Sequence, residues 1–301
     1  MLFLQPIFKN RIWGTPRLKT YGSTSNCSGS VYTVSGLSGI NCLTFDTDSG
    51  VKSTLQDLTL IKPSYLGLQP GEEYPLIIDI LGADEDLSVQ VHPTTKFARK
   101  KGYLYGKDES WYIINSSTCG YFLAGIKKEF QNTLDKERIS RNTLKFIDRI
   151  KVKIGDYFYV PAGTIHAIKK GALVYEVQQA TNITYRFFDY NRNDLNGEKR
   201  QLNLKDACTN LIIENSPKKR CLKNSQSLTE RAYSLNHQYF NNAKYFNNAT
   251  IACAITVLSG QLSYNNMNIN QGQSVMLLPH ETVQFMGSAE VMIATPNLYW
   301  R

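Results

Sequence analysis

Gly155-Asp156-Tyr157-Phe158-Tyr159-Val160-Pro161-Ala162-Gly163-Thr164-Ile165-His166 reads as an aromatic strand that closes in a tight turn and then presents a histidine. A second stretch lies upstream: Ser88-Val89-Gln90-Val91-His92-Pro93, followed by Lys107-Asp108-Glu109. In an extended chain the side chains at i and i+2 share a face, so Gln90 and His92 point one way and Val89 and Val91 the other. Glu109 heads Trp111-Tyr112-Ile113-Ile114, another strand pattern. Three strands can therefore bring one amide oxygen, two imidazoles and one carboxylate to a point. That nitrogen and oxygen set suits zinc with a coordination position left open for water or substrate. Two of the chain's 4 histidines fall in these motifs.

Composition sets the frame for that cluster. The 301 residues suffice for one large or two medium domains. With 42% hydrophobic and 20% charged residues, the chain fits a globular protein with a packed core. Its 18 Tyr and 13 Phe favour strands over helices. A net charge of +9 suits anionic ligands or a solvated basic surface. The Lys and Arg residues are scattered and form no long basic block, so no nucleic-acid partner is expected. No apolar run approaches the roughly 20 residues of a membrane helix, so no membrane partner is expected either. The six cysteines, Cys27, Cys42, Cys119, Cys208, Cys221 and Cys253, form no CxxC pair and no disulfide framework. Reduced thiols and an N-terminus without a basic, apolar leader pattern predict a cytoplasmic protein.

Taken in order, the chain reads as mainly β with a few inserted helices. Residues 6–14 form an extended arm, and short alternating runs follow at 31–34 and 40–45. Leu76 to Leu81 is an apolar strand leading toward Gln90 and His92. Short helices are predicted at 53–58 and 95–101. A helical excursion over 126–149 rests on Phe130, Leu134, Ile139, Leu144 and Ile147. Two strands follow at 173–178 and 183–188, then a polar connector over 191–236 with a helix around 204–213. From Ala249 the strand pattern returns to Ile293. Asp156-Tyr157-Phe158-Tyr159-Val160-Pro161 is echoed by Ser274-Val275-Met276-Leu277-Leu278-Pro279, with Gln284 at the place of His166. The expected organisation is a metal-binding domain over 1–236 and a smaller, metal-free β domain over 237–301. Beyond residue 240 the only histidine is His280.

Gly155, Pro161, Gly163 and His166 have the spacing of the second cupin motif, with Lys170 where that motif ends in Asn. Around it, Gly71-Glu72-Glu73-Tyr74-Pro75-Leu76, Glu85 to Pro93, Gly106 to Tyr112 and Glu176-Val177-Gln178-Gln179 with Thr184-Tyr185-Arg186 occur in order. The whole resembles the class I mannose-6-phosphate isomerases of the short bacterial and archaeal type. The resemblance runs from Pro6 to the C-terminus and is strongest over 71–192. It implies two cupin-like β-barrel (jelly-roll) domains and interconversion of mannose 6-phosphate and fructose 6-phosphate through an enediolate. It also implies one Zn2+ per chain on Gln90, His92, Glu109 and His166, with Arg186, Lys107 and Glu176 as catalytic residues. Ser88, with basic residues, would receive the phosphate, and Trp13 would stand at the rim. The partner is then a small sugar phosphate, and the protein a monomer or homodimer. The proton-transferring base is either Glu176 or Lys107.

Two departures bear on the substrate. The family carries a Gly-Glu-Phe-Trp-like run where this chain has Gly29-Ser30-Val31-Tyr32. It also carries a phosphate-holding Lys where this chain has Asp79. A carboxylate there would repel a phosphate. An isomerase of an unphosphorylated or different sugar is one alternative, and a sugar-binding cupin without turnover is another.

Overall fold

The computed structural model describes residues 1–133 and 135–301. Leu134, one of the apolar positions in the predicted helical excursion, lies outside the described residues. The architecture is a stack of antiparallel sheets. A seven-stranded sheet lies in the middle, in the order Lys218–Cys221, Asp156–Val160, Glu109–Asn115, Leu173–Gln179, Leu76–Gly82, Ser28–Val34 and Ile7–Asn10. On one side of it lies a five-stranded sheet: Ile147–Lys151, Tyr121–Ile126, His166–Ala167, Val89–Val91 and Tyr185–Phe188. The two sheets close on a core of Leu81, Trp111, Phe158 and Val174 from one and Phe122 from the other. This is the cupin-like barrel.

A nine-stranded sheet covers the opposite side of the middle layer. Its strands include Tyr233–Asn241, Met286–Pro296, Cys253–Tyr264 and Ser274–Leu277. Here Ile78, Ile80, Tyr175 and Val177 pack against residues such as Leu4, Ala254 and Met276. The middle sheet is therefore buried on both faces, which explains the unbroken apolar run Leu76-Ile77-Ile78. Along one strand the alternation still sorts roles: Ile78 and Ile80 face the nine-stranded sheet, whereas Ile77, Asp79 and Leu81 face the barrel.

The sheets do not follow the expected division at 236/237. That boundary falls inside the strand Tyr233–Asn241. Strands Leu2–Gln5, Leu43–Asp46 and Lys52–Thr54, all from the N-terminal part, complete the nine-stranded sheet. Pro6 separates Leu2–Gln5 in that sheet from Ile7–Asn10 in the middle one. A residue without an amide hydrogen suits the point where the arm leaves one ladder for the next.

The excursion over 126–149 is not one helix. It comprises the single turn Lys128–Phe130, two short helices, Lys136–Arg141 and Thr143–Phe146, and the strand Ile147–Lys151. Tertiary pairing wins at its end, where Ile147 to Lys151 ladder against Tyr121–Ile126. Ile139, Phe146 and Ile147 seal the outer face of the five-stranded sheet against Val89 and Val91. The polar connector holds the helix Leu204–Asn210 but also two strands, Lys218–Cys221 and Gln226–Thr229. No helix among the described residues is long and apolar enough to cross a membrane.

Candidate active site

Register fixes the site. In the five-stranded sheet Arg186 pairs with Gln90, and Gln90 with His166, so three inward side chains form one row. In the facing sheet Tyr32 pairs with Asp79, Asp79 with Glu176, and Glu176 with Trp111. Glu109 lies two residues before Trp111 on the same face. The turn before His166 is held from both sides: the Gly163 N–H donates to His92 O at 2.9 Å, and the Ala162 N–H to Asp108 Oδ1 at 2.8 Å. Gly163 has φ of +87°, a left-handed conformation that favours glycine, and a Cβ there would press on the Ile212 side chain at 2.8 Å.

His92, Glu109 and His166 come together, all buried, with one donor atom of each within 4.8 Å of the others. His92 Nε2 lies 3.2 Å from Glu109 Oε2, and His166 Nε2 lies 3.2 Å from Glu109 Oε1. Each Nδ1 faces a backbone carbonyl, that of Ile183 at 2.8 Å for His92 and that of Thr164 at 2.9 Å for His166. A carbonyl only accepts, so both Nδ1 atoms carry the hydrogen, and in the neutral rings each Nε2 presents a bare lone pair. Burial, reinforced by the Lys107 charge, lowers His92 to about 4, and burial likewise lowers His166. Burial alone would raise Glu109, but the charges that His166 and His92 carry when protonated, with Lys107, outweigh it and bring it down to about 2, so Glu109 is already ionised at a pH where both rings have become neutral. The result is an ionised carboxylate facing two imidazole lone pairs. His92 Nε2 and Glu109 Oε1 have no hydrogen-bond partner.

Such a set repels itself unless a cation lies between its members. With bonds of 2.0–2.1 Å, the edge of a tetrahedral zinc site is roughly 3.3 Å, close to the spacings found. The Nδ1–H to carbonyl bonds are the outer contacts that orient metal-binding histidines. The donor set therefore fits a divalent ion. Gln90 stands beside the three, but its Nε2 faces His166 Nε2 at 3.3 Å, while its Oε1 accepts from Ser88 Oγ at 3.2 Å. Turning the amide over would direct the oxygen to the cluster and the NH2 to Ser88.

A small cavity of about 30 Å³ lies among these residues and Trp111. Next to it opens a cleft of about 490 Å³, floored by Asp79, Glu176 and Gln178. Among the described residues, Lys107 and Glu176 are the only titratable ones that line both. Glu176 accepts from Trp111 Nε1 at 2.9 Å and from Gln178 Nε2 at 2.8 Å. The same Gln178 amide donates to Asp79 Oδ1 at 2.9 Å. One amide thus holds two buried carboxyl groups. Burial, then the charges of Glu109 and Asp79, raise Glu176 well above the usual range, and burial raises Asp79 to about 6.

Of the residues expected at the site, His92, Glu109, His166, Gln90, Lys107, Glu176, Arg186 and Trp13 line the small cavity or the cleft. Ser88 lines neither; it sits behind Gln90 and orients its amide. The sequence reading missed Arg11, Arg200 and Gln178. Gln178 had a signal, since it lies two residues from Glu176 on the same strand face. Arg11 and Arg200 had none, because they come from an arm and a polar connector whose positions only the fold reveals.

No protein-family model matches the chain. The chain is 35% identical over 242 residues to mannose-6-phosphate isomerase ManA of Bacillus subtilis strain 168, covering 75% of this chain and 72% of that protein. It is 33% identical over 216 residues to the mannose-6-phosphate isomerase of Streptococcus mutans, covering 70% and 68%. The crystal structure of the mannose 6-phosphate isomerase from Bacillus subtilis superposes with a TM-score of 0.80, at 25% identity, over 98% of this chain and 99% of that one.

Proposed function

The chain belongs to the mannose-6-phosphate isomerase family, and from that premise we propose that it interconverts mannose 6-phosphate and fructose 6-phosphate by proton transfer between neighbouring carbons. The observation that carries this reading is the pair Lys107 and Glu176, which border both the donor cluster and the cleft. Gln90, His92, Glu109 and His166 would hold one divalent ion, zinc by the chemistry of its donors, which when bound polarises the sugar carbonyl.

The chain's own groups carry the protons. Isomerisation moves one hydrogen from C2 to C1 and one proton from the C2 oxygen to the C1 oxygen, through an enediolate. Glu176 is buried with a raised proton affinity, which suits a group that takes a proton from carbon and returns it. Trp111 and Gln178 fix its two oxygens, so it needs no reorientation. Lys107 would serve the oxygens, and Arg186 would stabilise the negative charge that develops there. The nine-stranded sheet is proposed as a structural backing, because it packs on the face of the middle sheet opposite the site. Three exposed free thiols, Cys27, Cys119 and Cys221, suit a reducing compartment, and a cytoplasmic location is part of this proposal.

Asp79 on the cleft floor favours a second reading, in which the sugar carries no phosphate. Comparing turnover of mannose 6-phosphate with that of mannose separates the two. Two charge-assisted hydrogen bonds to phosphate are each worth about 1.5–3 kcal/mol, so kcat/KM should favour the phosphorylated sugar by at least about a hundredfold. Equal values for both sugars would establish the second reading instead.

A further inference from the structure

The resemblance implies a lysine for the phosphate at position 79, and this chain has an aspartate there. Asp79 is buried on the floor, tied to Gln178, and its cross-strand neighbour Tyr32 stands between it and the strand that leads to Arg11. Three guanidinium groups line the same cleft from three separate segments: Arg11 after the strand Ile7–Asn10, Arg186 on the strand Tyr185–Phe188, and Arg200 in the loop beyond it.

We infer that Arg11 and Arg200, with Arg186 between them and the donor cluster, form the phosphate subsite that this chain uses in place of a lysine at position 79. The inference rests on the isomerase reading above and names the residues that select its phosphorylated substrate.

Four observations support it. Neither Arg11 nor Arg186 has a carboxylate within ion-pair distance among the described residues; Arg11 reaches only Asn10 O at 3.4 Å and Tyr32 Oη at 3.5 Å. Arg186 Nε is buried with no hydrogen-bond partner. Arg200 gives Nη1 to Asp189 at 2.7 Å, but Arg192 draws on the same carboxylate, and the Arg200 fork lies over the Trp13 ring at 5.2 Å with its other nitrogens uncommitted. Finally, the three cations act on one another. Burial and then Arg186 lower Arg200, while Arg186 is lowered by burial and by Arg11 against the pull of Asp189. Like charges gathered in a partly desolvated cleft are costly without a counter-anion. A phosphate monoester supplies a charge near −2 and three acceptor oxygens, which planar guanidinium forks match better than an ammonium does. Gly29 makes room for the arrangement: a Cβ there would come within 2.5 Å of Arg11 Cβ and 3.0 Å of Trp13 Nε1.

The test uses metal-loaded protein and the variants Arg11→Gln and Arg200→Gln, with inorganic phosphate as a competitive inhibitor. Each variant should raise KM for mannose 6-phosphate and the inhibition constant for phosphate in parallel, by about ten- to a hundredfold, while kcat stays within about threefold. Arg11→Lys should recover part of the loss. Values of both constants within about twofold of wild type in Arg11→Gln would overturn the inference, whatever the fate of Arg200→Gln, whose Asp189 loses a partner. The wild-type protein supplies the control on the parent reading. Should it fail to turn over mannose 6-phosphate, that reading fails, and calorimetric titration of inorganic phosphate into wild type and Arg11→Gln still decides the subsite. Binding to wild type that Arg11→Gln loses supports the inference, and equal binding or none refutes it.

Discussion

His166→Ala is expected to lose bound metal and isomerase activity together. Its Nε2 is 3.2 Å from Glu109 Oε1 and 3.3 Å from Gln90 Nε2, and its Nδ1 is committed to Thr164 O, so the ring has one orientation and turns the Nε2 lone pair to the cluster. Loss of an outer contact to a metal ligand costs about 10–100-fold in affinity, and loss of the ligand itself should cost at least as much. A Lewis acid that polarises a carbonyl contributes several kcal/mol, and about 4 kcal/mol corresponds to about 10³ in rate. Elemental analysis should therefore show zinc well below one ion per chain, and kcat/KM should fall by about 10³ or more. The ring also packs edge-on against Trp111, with centroids 5.4 Å apart, so thermal unfolding is needed to confirm that the variant is folded. A folded variant with wild-type zinc content would remove His166 from the ligand set.

Glu176→Gln is expected to separate chemistry from metal binding. The amide keeps an oxygen to accept from Trp111 Nε1 and nearly the same volume, but it cannot take a proton from carbon. Positioned acid–base groups contribute about 10²–10⁴-fold, so kcat should fall by that factor while zinc content and KM stay close to wild type. A kcat within about tenfold of wild type would move the carbon-proton transfer to Lys107, the other titratable residue that borders both spaces, as its size lies below the usual range for such groups.

How much of this was legible in the sequence depended on range. The spacing of Gln90 and His92 is local, and strand geometry alone put both on one face with Val89 and Val91 on the other. What covers those valines was not legible, because Ile139, Phe146 and Leu211 arrive from distant segments. The echo of residues 156–161 in 274–279 holds as two strands, but they lie in different sheets, and Gln284 is exposed where His166 is buried. The helical reading of 126–149 failed at Ile147, where a periodic apolar position serves a sheet edge instead. The boundary at 236/237 failed for a topological reason: strands from the first 54 residues complete the sheet built by the last 76. Asp79 looked like a charge facing the phosphate. Only the fold shows that Gln178 ties it to Glu176 and that Arg11, Arg186 and Arg200 line the same cleft from separate segments.

The account rests on a metal-dependent isomerase centred on His92, Glu109 and His166, and one titration tests it directly. Chelated, metal-free protein is supplied with zinc in steps, while bound zinc and conversion of mannose 6-phosphate to fructose 6-phosphate are followed in the same samples. Activity should be absent at the start, rise in proportion to bound zinc, and level off at one ion per chain. Full conversion by the metal-free protein, or zinc bound to saturation without conversion, would contradict it.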